Sequence, residues 1–421
     1  MTTGSVYDVV GVGFGPSNLA LAIAMRESGT RWRGTFLEKQ SRFGWHRGML
    51  IDTATMQVSF LKDLVTLRDP TSPFSFVSYL HQKQRLPSFI NHKTLFPTRV
   101  EFHDYLEWAA AAFVDCVEYG STVVDVLPVH VDGRLAFLDV VAERAGSRIV
   151  RRTRNLVLAA GLVPRVPADA PTTANVWHSH ELLDRMRAVP RDSALTVTVV
   201  GAGQSAAEVT EYVHRCFGRA EVHAVFDRFG YSPADDSPFV NGIFDPAAVD
   251  TFFQAPSHVR QSLLRYHGNT NYSAVDADLI DELYRRVYAE QLNGETRLRM
   301  RNTSRVASVE PDGERLRIAV EHLPTGSVTT IVSDLLIYAT GYRPYDPLSL
   351  LGNIVSHCKL DPAGGLGVDR DYRVMTTGAV ECGIYLQGGT EDVHGISSSL
   401  LSNTAVRAAE ITRSIAANGG G

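Results

Sequence analysis

Two stretches share one pattern, an apolar β-branched strand, then a glycine-rich turn, then a helix. They predict an α/β protein with two Rossmann-like dinucleotide-binding domains and a small substrate-binding region. The stretches begin near residues 6 and 195. Length agrees with the pattern, since 421 residues exceed what one hydrophobic core usually holds.

The first strand is residues 6–12, rich in the valines that a buried parallel strand needs. Gly11, Gly13, Gly15 and Pro16 follow as G-x-G-x-G-P. The first two glycines permit a tight turn and close approach of a pyrophosphate, and a proline at the head of a helix gives up no needed N–H. The helix spans 19–27 and stops at Gly29; the next strand, 34–37, is closed by Glu38. Glu38 lies 23 residues past Gly15, the offset at which a carboxylate meets a ribose diol. A glycine motif alone is as often a structural turn, but strand, helix and acid in this order make a dinucleotide site.

Further along, Lys62 sits in the apolar run VSFLKDL, five residues after Gln57. An amide there can meet a flavin ring and an ammonium a substrate carboxylate, although a lone lysine is more often a snorkelling surface residue. Only five of the 41 basic residues are lysine, which makes this one worth following.

The second pattern has its strand at 195–200, the turn Gly201-x-Gly203-x-x-Ala206, a helix at 207–216 and a strand at 221–226. Gln204 and Ser205 fall at the helix start, where donors can face phosphates. The strand runs into Asp227 and Arg228, which point in opposite directions. Arginine suits the 2'-phosphate of NADPH, aspartate the free diol of NADH, and the reading leans to NADPH with NADH as the alternative. Two segments, LVLAAGLVPRVP at 156–167 and LLIYATGYRP at 335–344, should carry the chain between the domains. The expected division is 1–165 with 335–421 for the first domain and 166–240 with 275–334 for the second. The substrate region is then 241–274 with segments near 57–62 and 394–400.

Composition removes other classes. A net charge of -5 gives no footprint for nucleic acid or an anionic membrane. No apolar run approaches the ~20 residues of a membrane span, and the N-terminus lacks the order of a secretory signal, so a cytoplasmic protein is expected. Cys116, Cys216, Cys358 and Cys382 are 100, 142 and 24 residues apart, which leaves neither a redox pair nor a close-spaced metal pair. Without a redox pair, what remains is a flavin that takes hydride from a nicotinamide and passes it to another acceptor, dioxygen being the commonest small one. The stretches 235–244, 268–273 and 393–402 are rich in asparagine, glycine and serine. They read as caps and turns or as the polar wall of an amino-acid pocket.

At these residues a resemblance becomes specific. GVGFGPSNLALA, FGWHRGML, MQVSFLKDLVTLRDP, FPTRVEFHDYLEW, VVGAGQSAAEV, DDSPFVNGIFDP, NTNYSAVD, ATGYRP and HGISSSLLSN, in this order over residues 7–410, resemble the flavin-dependent N-hydroxylating monooxygenases, the L-ornithine N5- and L-lysine N6-monooxygenases. The resemblance implies that Glu38, Lys39, Trp45, His46, Gln57 and Val124 line FAD above the Gly11, Gly13, Gly15 and Pro16 turn, with His394, Gly395 and Ile396 closing over it. It implies that Lys62 and Asn241, flanked by Gly242, Ile243 and Phe244, hold the substrate carboxylate, and that Asn271 touches substrate and coenzyme while Ser397 lies beside the side-chain amine. Gln57, Asn271 and Ser397 become the catalytic candidates. The nicotinamide coenzyme falls to Gly201, Gly203, Gln204, Ser205, Ala206, Arg228, Asn271, Tyr272 and Ser273. Members often carry arginine where Asp227 stands, a departure that bears on the choice between NADPH and NADH.

The implied activity is N-hydroxylation of L-ornithine through a C4a-hydroperoxyflavin, feeding siderophore or natural-product synthesis in a homo-oligomer, a dimer or tetramer. L-Lysine is the nearest alternative substrate. A diamine, a Baeyer-Villiger reaction and a non-catalytic redox sensor rank lower.

Overall fold

The computed structural model describes residues 6–418. The first domain is one sheet of β1 (Tyr7–Val12), β2 (Gly34–Glu38), β3 (Val117–Tyr119), β4 (Ser121–Val131), β5 (Arg134–Arg144) and β6 (Ser147–Leu158), in the order β3-β2-β1-β6-β5-β4. β6 is long enough to do two jobs. Its first half pairs antiparallel with β5, and its second half runs parallel to β1. The β4 to β6 ribbon, which carries Val124, has no counterpart in the sequence reading.

Helix α1 (Pro16–Glu27) starts at the proline, three residues before the expected point, because a fixed φ suits the first helical position. It is buried almost all round, from Asn18 to Met25, between the sheet and the C-terminal helix Thr404–Asn418.

The second domain adds β7 (Leu162–Pro164), β8 (Val176–His178), β9 (Thr196–Val200), β10 (Glu221–Val225) and β11 (Leu298–Arg301). There follow the antiparallel strands β12 (Ser304–Asp312), β13 (Arg315–His322) and β14 (Ser327–Ser333), then β15 (Leu335–Tyr338) and β16 (Tyr342–Pro344). The parallel order is β11-β10-β9-β15-β8. β15 therefore belongs to the second sheet, which corrects the expected return at 335. Its four residues are all buried between β9 and β8, so the crossing begins only after them. The two crossings pair with each other, β7 against β16, with Arg343 opposite Val163. The chain regains the first sheet at β17 (Gly383–Leu386), parallel to β6.

Residues 240–270 form short helical turns, Val240–Phe244, Ala248–Gln254, Ser257–Tyr266 and Gly268–Thr270. They pack on the Glu391–His394 and Ile396–Ser399 turns, where both domains meet. Among the described residues no helix is long and apolar enough to cross a membrane.

Candidate active site

The first cradle is built by β1, its turn and α1. A Cβ on Gly11 would stand 2.3 Å from the Phe36 ring, and Gly13, at φ +82°, would meet the Ala159 carbonyl at 2.5 Å. These two glycines are enclosed by protein. Gly15 has nothing within 4 Å of a built Cβ, so the room for an incoming anion lies there, in front of a helix with no side-chain cap. Glu38 is buried and accepts from the amides of Phe14 at 2.7 Å and Gln40 at 2.8 Å, which fixes both carboxylate oxygens at the turn. Lys39 points to solvent. Trp45 and His46 lie edge to face at 4.8 Å, and His46 takes a left-handed conformation at φ 48°. Protein crowds the His46 ring while leaving it open to a crevice. That crowding, with Arg99 nearby, pushes its imidazole down to about 4, neutral at neutral pH. Val124 sits half-buried at a bulge between β4 and β5.

The second turn departs from expectation in two places. Gln204 does begin its helix, Gln204–Cys216, but its side chain turns inward, donating to Glu208 and Asp276 at 3.0 Å each and accepting from the Asp276 amide at 2.8 Å. With its amide spent on interior acids, only its backbone N–H is left for a phosphate. Ser205 is half-buried at the same helix start, Ala206 is fully buried, and Gly203 lies beside Ser273.

Arg228 donates to the Ser273 carbonyl at 2.9 Å. It does not line the cavity of about 310 Å³ beyond Gly201, whose wall includes Asp227, Asp169 and Arg305. Of the two residues, Asp227 is on that wall and Arg228 is not.

Between the domains lies a crevice. Lys62 Nζ stands over the Phe244 ring at 5.7 Å, which brings Lys62 beside the turn that carries Asn241, Gly242 and Ile243, all half-buried. Asn241 donates to the Asp236 carbonyl at 2.7 Å, which directs its amide N–H away and frees its carbonyl oxygen. The same turn packs on Ile396–Ser399, where Ile396 and Ser397 are buried. Asn271 and Tyr272 come from the second domain, and the Tyr272 hydroxyl donates to Glu391 at 2.6 Å across the crevice. Gln57 is exposed on the crevice and bonds Asp276, whose carboxyl is raised by burial.

His394 does not present its ring to the crevice. It is fully buried, stacked on Tyr372 at 4.3 Å, with Nε2 bonded to the Asp369 carbonyl at 3.0 Å. Gly395, at φ +80°, is pressed against Phe252, where a Cβ would stand 2.5 Å away.

Two features escaped the sequence reading. Arg99 forms a bidentate pair with Glu208, at 2.9 and 2.7 Å, and bonds the Met49 carbonyl at 3.0 Å, so a buried ion pair ties the domains together behind the crevice. Several buried polar atoms without partners lie in the segment from 387 to 407. They include Gln387 Oε1, Thr390 Oγ1, Ser398 Oγ, both amide atoms of Asn403 and Arg407 Nε. Such groups are costly unless bonded, and together with the space at Gly15 they fit a large polar ligand of the dinucleotide kind. No spacing rule marks them.

The L-lysine 6-monooxygenase/L-ornithine 5-monooxygenase family matches residues 5–344. The chain is 41% identical over 401 residues to the L-ornithine N(5)-monooxygenase of Burkholderia cepacia, covering 93% of this chain and 90% of the relative. Among solved structures it resembles the ornithine N-hydroxylase of Kutzneria sp. 744, described with FADred, NADP+ and L-orn. That match has a TM-score of 0.96 and 45% identity over 99% of this chain and 100% of the other. The L-lysine 6-monooxygenase of Pseudomonas syringae matches at a TM-score of 0.86 and 31% identity, over 98% and 99%.

Proposed function

The chain belongs to the L-lysine 6-monooxygenase/L-ornithine 5-monooxygenase family, and from that premise we propose that it hydroxylates the side-chain amine of L-ornithine with FAD, NADPH and dioxygen. The observation that carries the substrate reading is Lys62 held over Phe244, beside the Asn241 turn and the buried Ser397. A fixed ammonium next to an acceptor amide suits an amino-acid head group, carboxylate to Lys62 and α-ammonium to the free Asn241 oxygen. The tail then runs toward Ser397 and Asn271.

Bound flavin would supply oxygen activation. The turn at Gly15, with Glu38, would hold its dinucleotide, and the exposed faces of His46 and Gln57 would meet its ring. The rest is work for the chain. The terminal amine of free ornithine, near the lysine value of ~10.4, must become neutral to act as a nucleophile, and a dry pocket favours that form. Tyr272 bonded to Glu391 links the 268–273 loop to the 391–394 turn beside the site. Lys62 and Asn241 fix the head so that the amine is presented in one orientation.

L-Lysine is one methylene longer, a difference worth ~1 to 3 kcal/mol in a pocket. The higher identity to the ornithine enzymes favours ornithine. The hydroxylamine produced is the precursor of a hydroxamate, which fits a role in siderophore or natural-product synthesis, and the need for reduced coenzyme fits the cytoplasm.

The test is direct. Purified protein with NADPH or NADH, air, and ornithine, lysine, putrescine or a ketone is assayed for a product heavier by one oxygen and for hydrogen peroxide. Hydroxylated ornithine is expected; oxygen insertion into the ketone with no amine product would overturn the assignment.

A further inference from the structure

Arg407 is a cation in an odd place. Its side chain is completely buried in the C-terminal helix, yet among the described residues no carboxylate bonds it. It donates to the Ser398 carbonyl, and through Nη2 to Ser17 Oγ and Thr404 Oγ1, each at 3.2 Å. Nε has no partner. The nearest acid along the helix, Glu410, is engaged by Arg370 through both oxygens at 3.1 Å.

A buried charge without a directly bonded counter-charge is unfavourable, and the surroundings add to the cost. Ser17 is the second residue of α1, so the guanidinium faces the positive end of a helix dipole. The guanidinium and the N-terminus of α1, two positive ends, meet at Ser17, two residues past Gly15, where a built Cβ has open space. An anion would complete the arrangement.

We propose that Arg407 is the positioning residue for the diphosphate of the flavin dinucleotide, acting through Ser17. Because Ser17 Oγ accepts from Arg407, its hydroxyl hydrogen is left to donate to a phosphate oxygen. The same guanidinium holds Ser398, next to Ser397, so the phosphate cradle and the substrate turn share one buried cation. The inference rests on the flavin reading above and adds residues that no glycine motif contains.

The test uses the full chain stripped of flavin. FAD affinity is followed by flavin fluorescence quenching, and melting temperature is read with and without FAD. In wild type, FAD must bind and raise the melting temperature; if it does neither, the flavin reading itself falls, whatever Arg407 does. Given that, Arg407→Met is expected to weaken FAD binding at least tenfold and to shrink the FAD-induced rise in melting temperature, with Arg407→Lys recovering part of both. Ser17→Ala, which removes one oxygen atom, should weaken FAD binding in the same direction, and the double variant should bind no worse than Arg407→Met alone. Equal loss of melting temperature with and without FAD at unchanged affinity in Arg407→Met overturns the proposal. So does unchanged affinity in Ser17→Ala.

Discussion

Lys62 is one of five lysines against 36 arginines, and the chemistry explains why a compact ammonium serves where arginine is the default. It sits over the Phe244 ring at 5.7 Å. Lys62→Met is expected to raise KM for ornithine about tenfold to a hundredfold, the worth of a charged hydrogen bond at ~1.5 to 3 kcal/mol. Steady-state kinetics checks this, and flavin content should not change. Asp227 gives a second prediction at this scale. It lies on the wall of the cavity beyond Gly201, while Arg228 is held by Ser273. Removing a like charge near a 2'-phosphate in a solvated site is worth about 1 kcal/mol. Asp227→Ser should therefore raise the kcat/KM ratio of NADPH to NADH around fivefold. Lys62 was legible because an ionisable residue in an apolar run violates a local pattern. Gln204 was not, because the acids that claim its amide, Glu208 and Asp276, come from one turn on and from 72 residues away.

The elements that could be read were those whose pattern is dictated by burial on both faces. β1 and β9 with their turns and helices fall within three residues of expectation, since a buried parallel strand and a glycine turn leave few alternatives. The β4 to β6 ribbon and the β12 to β14 sheet were missed because half-solvated strands mix polar and apolar residues. How the elements dock was also invisible. Gly48 packs under the Ser179–Glu181 turn of the other domain so closely that a Cβ would stand 1.7 Å from the His180 carbonyl, a backbone atom that cannot swing aside. Gly48→Ala is expected to cost ~1 to 3 kcal/mol by overpacking, seen as a lower melting temperature, and to move the domains apart, seen as more hydrogen peroxide per hydroxylamine. The Arg99 to Glu208 pair braces the same interface. Arg99→Met strands a buried carboxylate at a cost of ~3 to 5 kcal/mol, whereas Arg99→Met with Glu208→Gln should recover much of it. Denaturant unfolding of the two variants separates a specific pair from general loss of packing.

At the scale of the whole molecule, buried histidines tie stability to pH. His394 is fully buried and its Nε2 must donate to the Asp369 carbonyl, which leaves Nδ1 bare and without a partner. Acid would add to the ring a charge with no solvent around it. Burial accordingly lowers His394 from 6.5 to about 4, and His178, bonded to the Gly341 carbonyl at the domain crossing, falls to about 4 as well. The sign follows from linkage. Between pH 6.5 and about 4 the unfolded chain takes up these protons and the folded chain does not, so their contribution is complete above 6.5 and is lost progressively as pH falls toward 4. Asp63 and Asp276, whose carboxyls are raised by burial, act in the opposite sense at the acid end, so the bulk curve alone is a sum. The His394 part is isolated by difference. His394→Gln keeps a donor for Asp369 and cannot charge, so its melting temperature should fall less steeply than that of wild type from pH 7 to 4.5, with the two curves parallel above pH 7. Because His394 adjoins the turn of Ser397 and Ser398, protonation would loosen the wall on which substrate rests. Ornithine KM in the wild type should then rise below pH 6 in step with the stability loss, and His394→Gln should remove that component; a KM profile identical in the two proteins would disconnect the buried imidazole from the site.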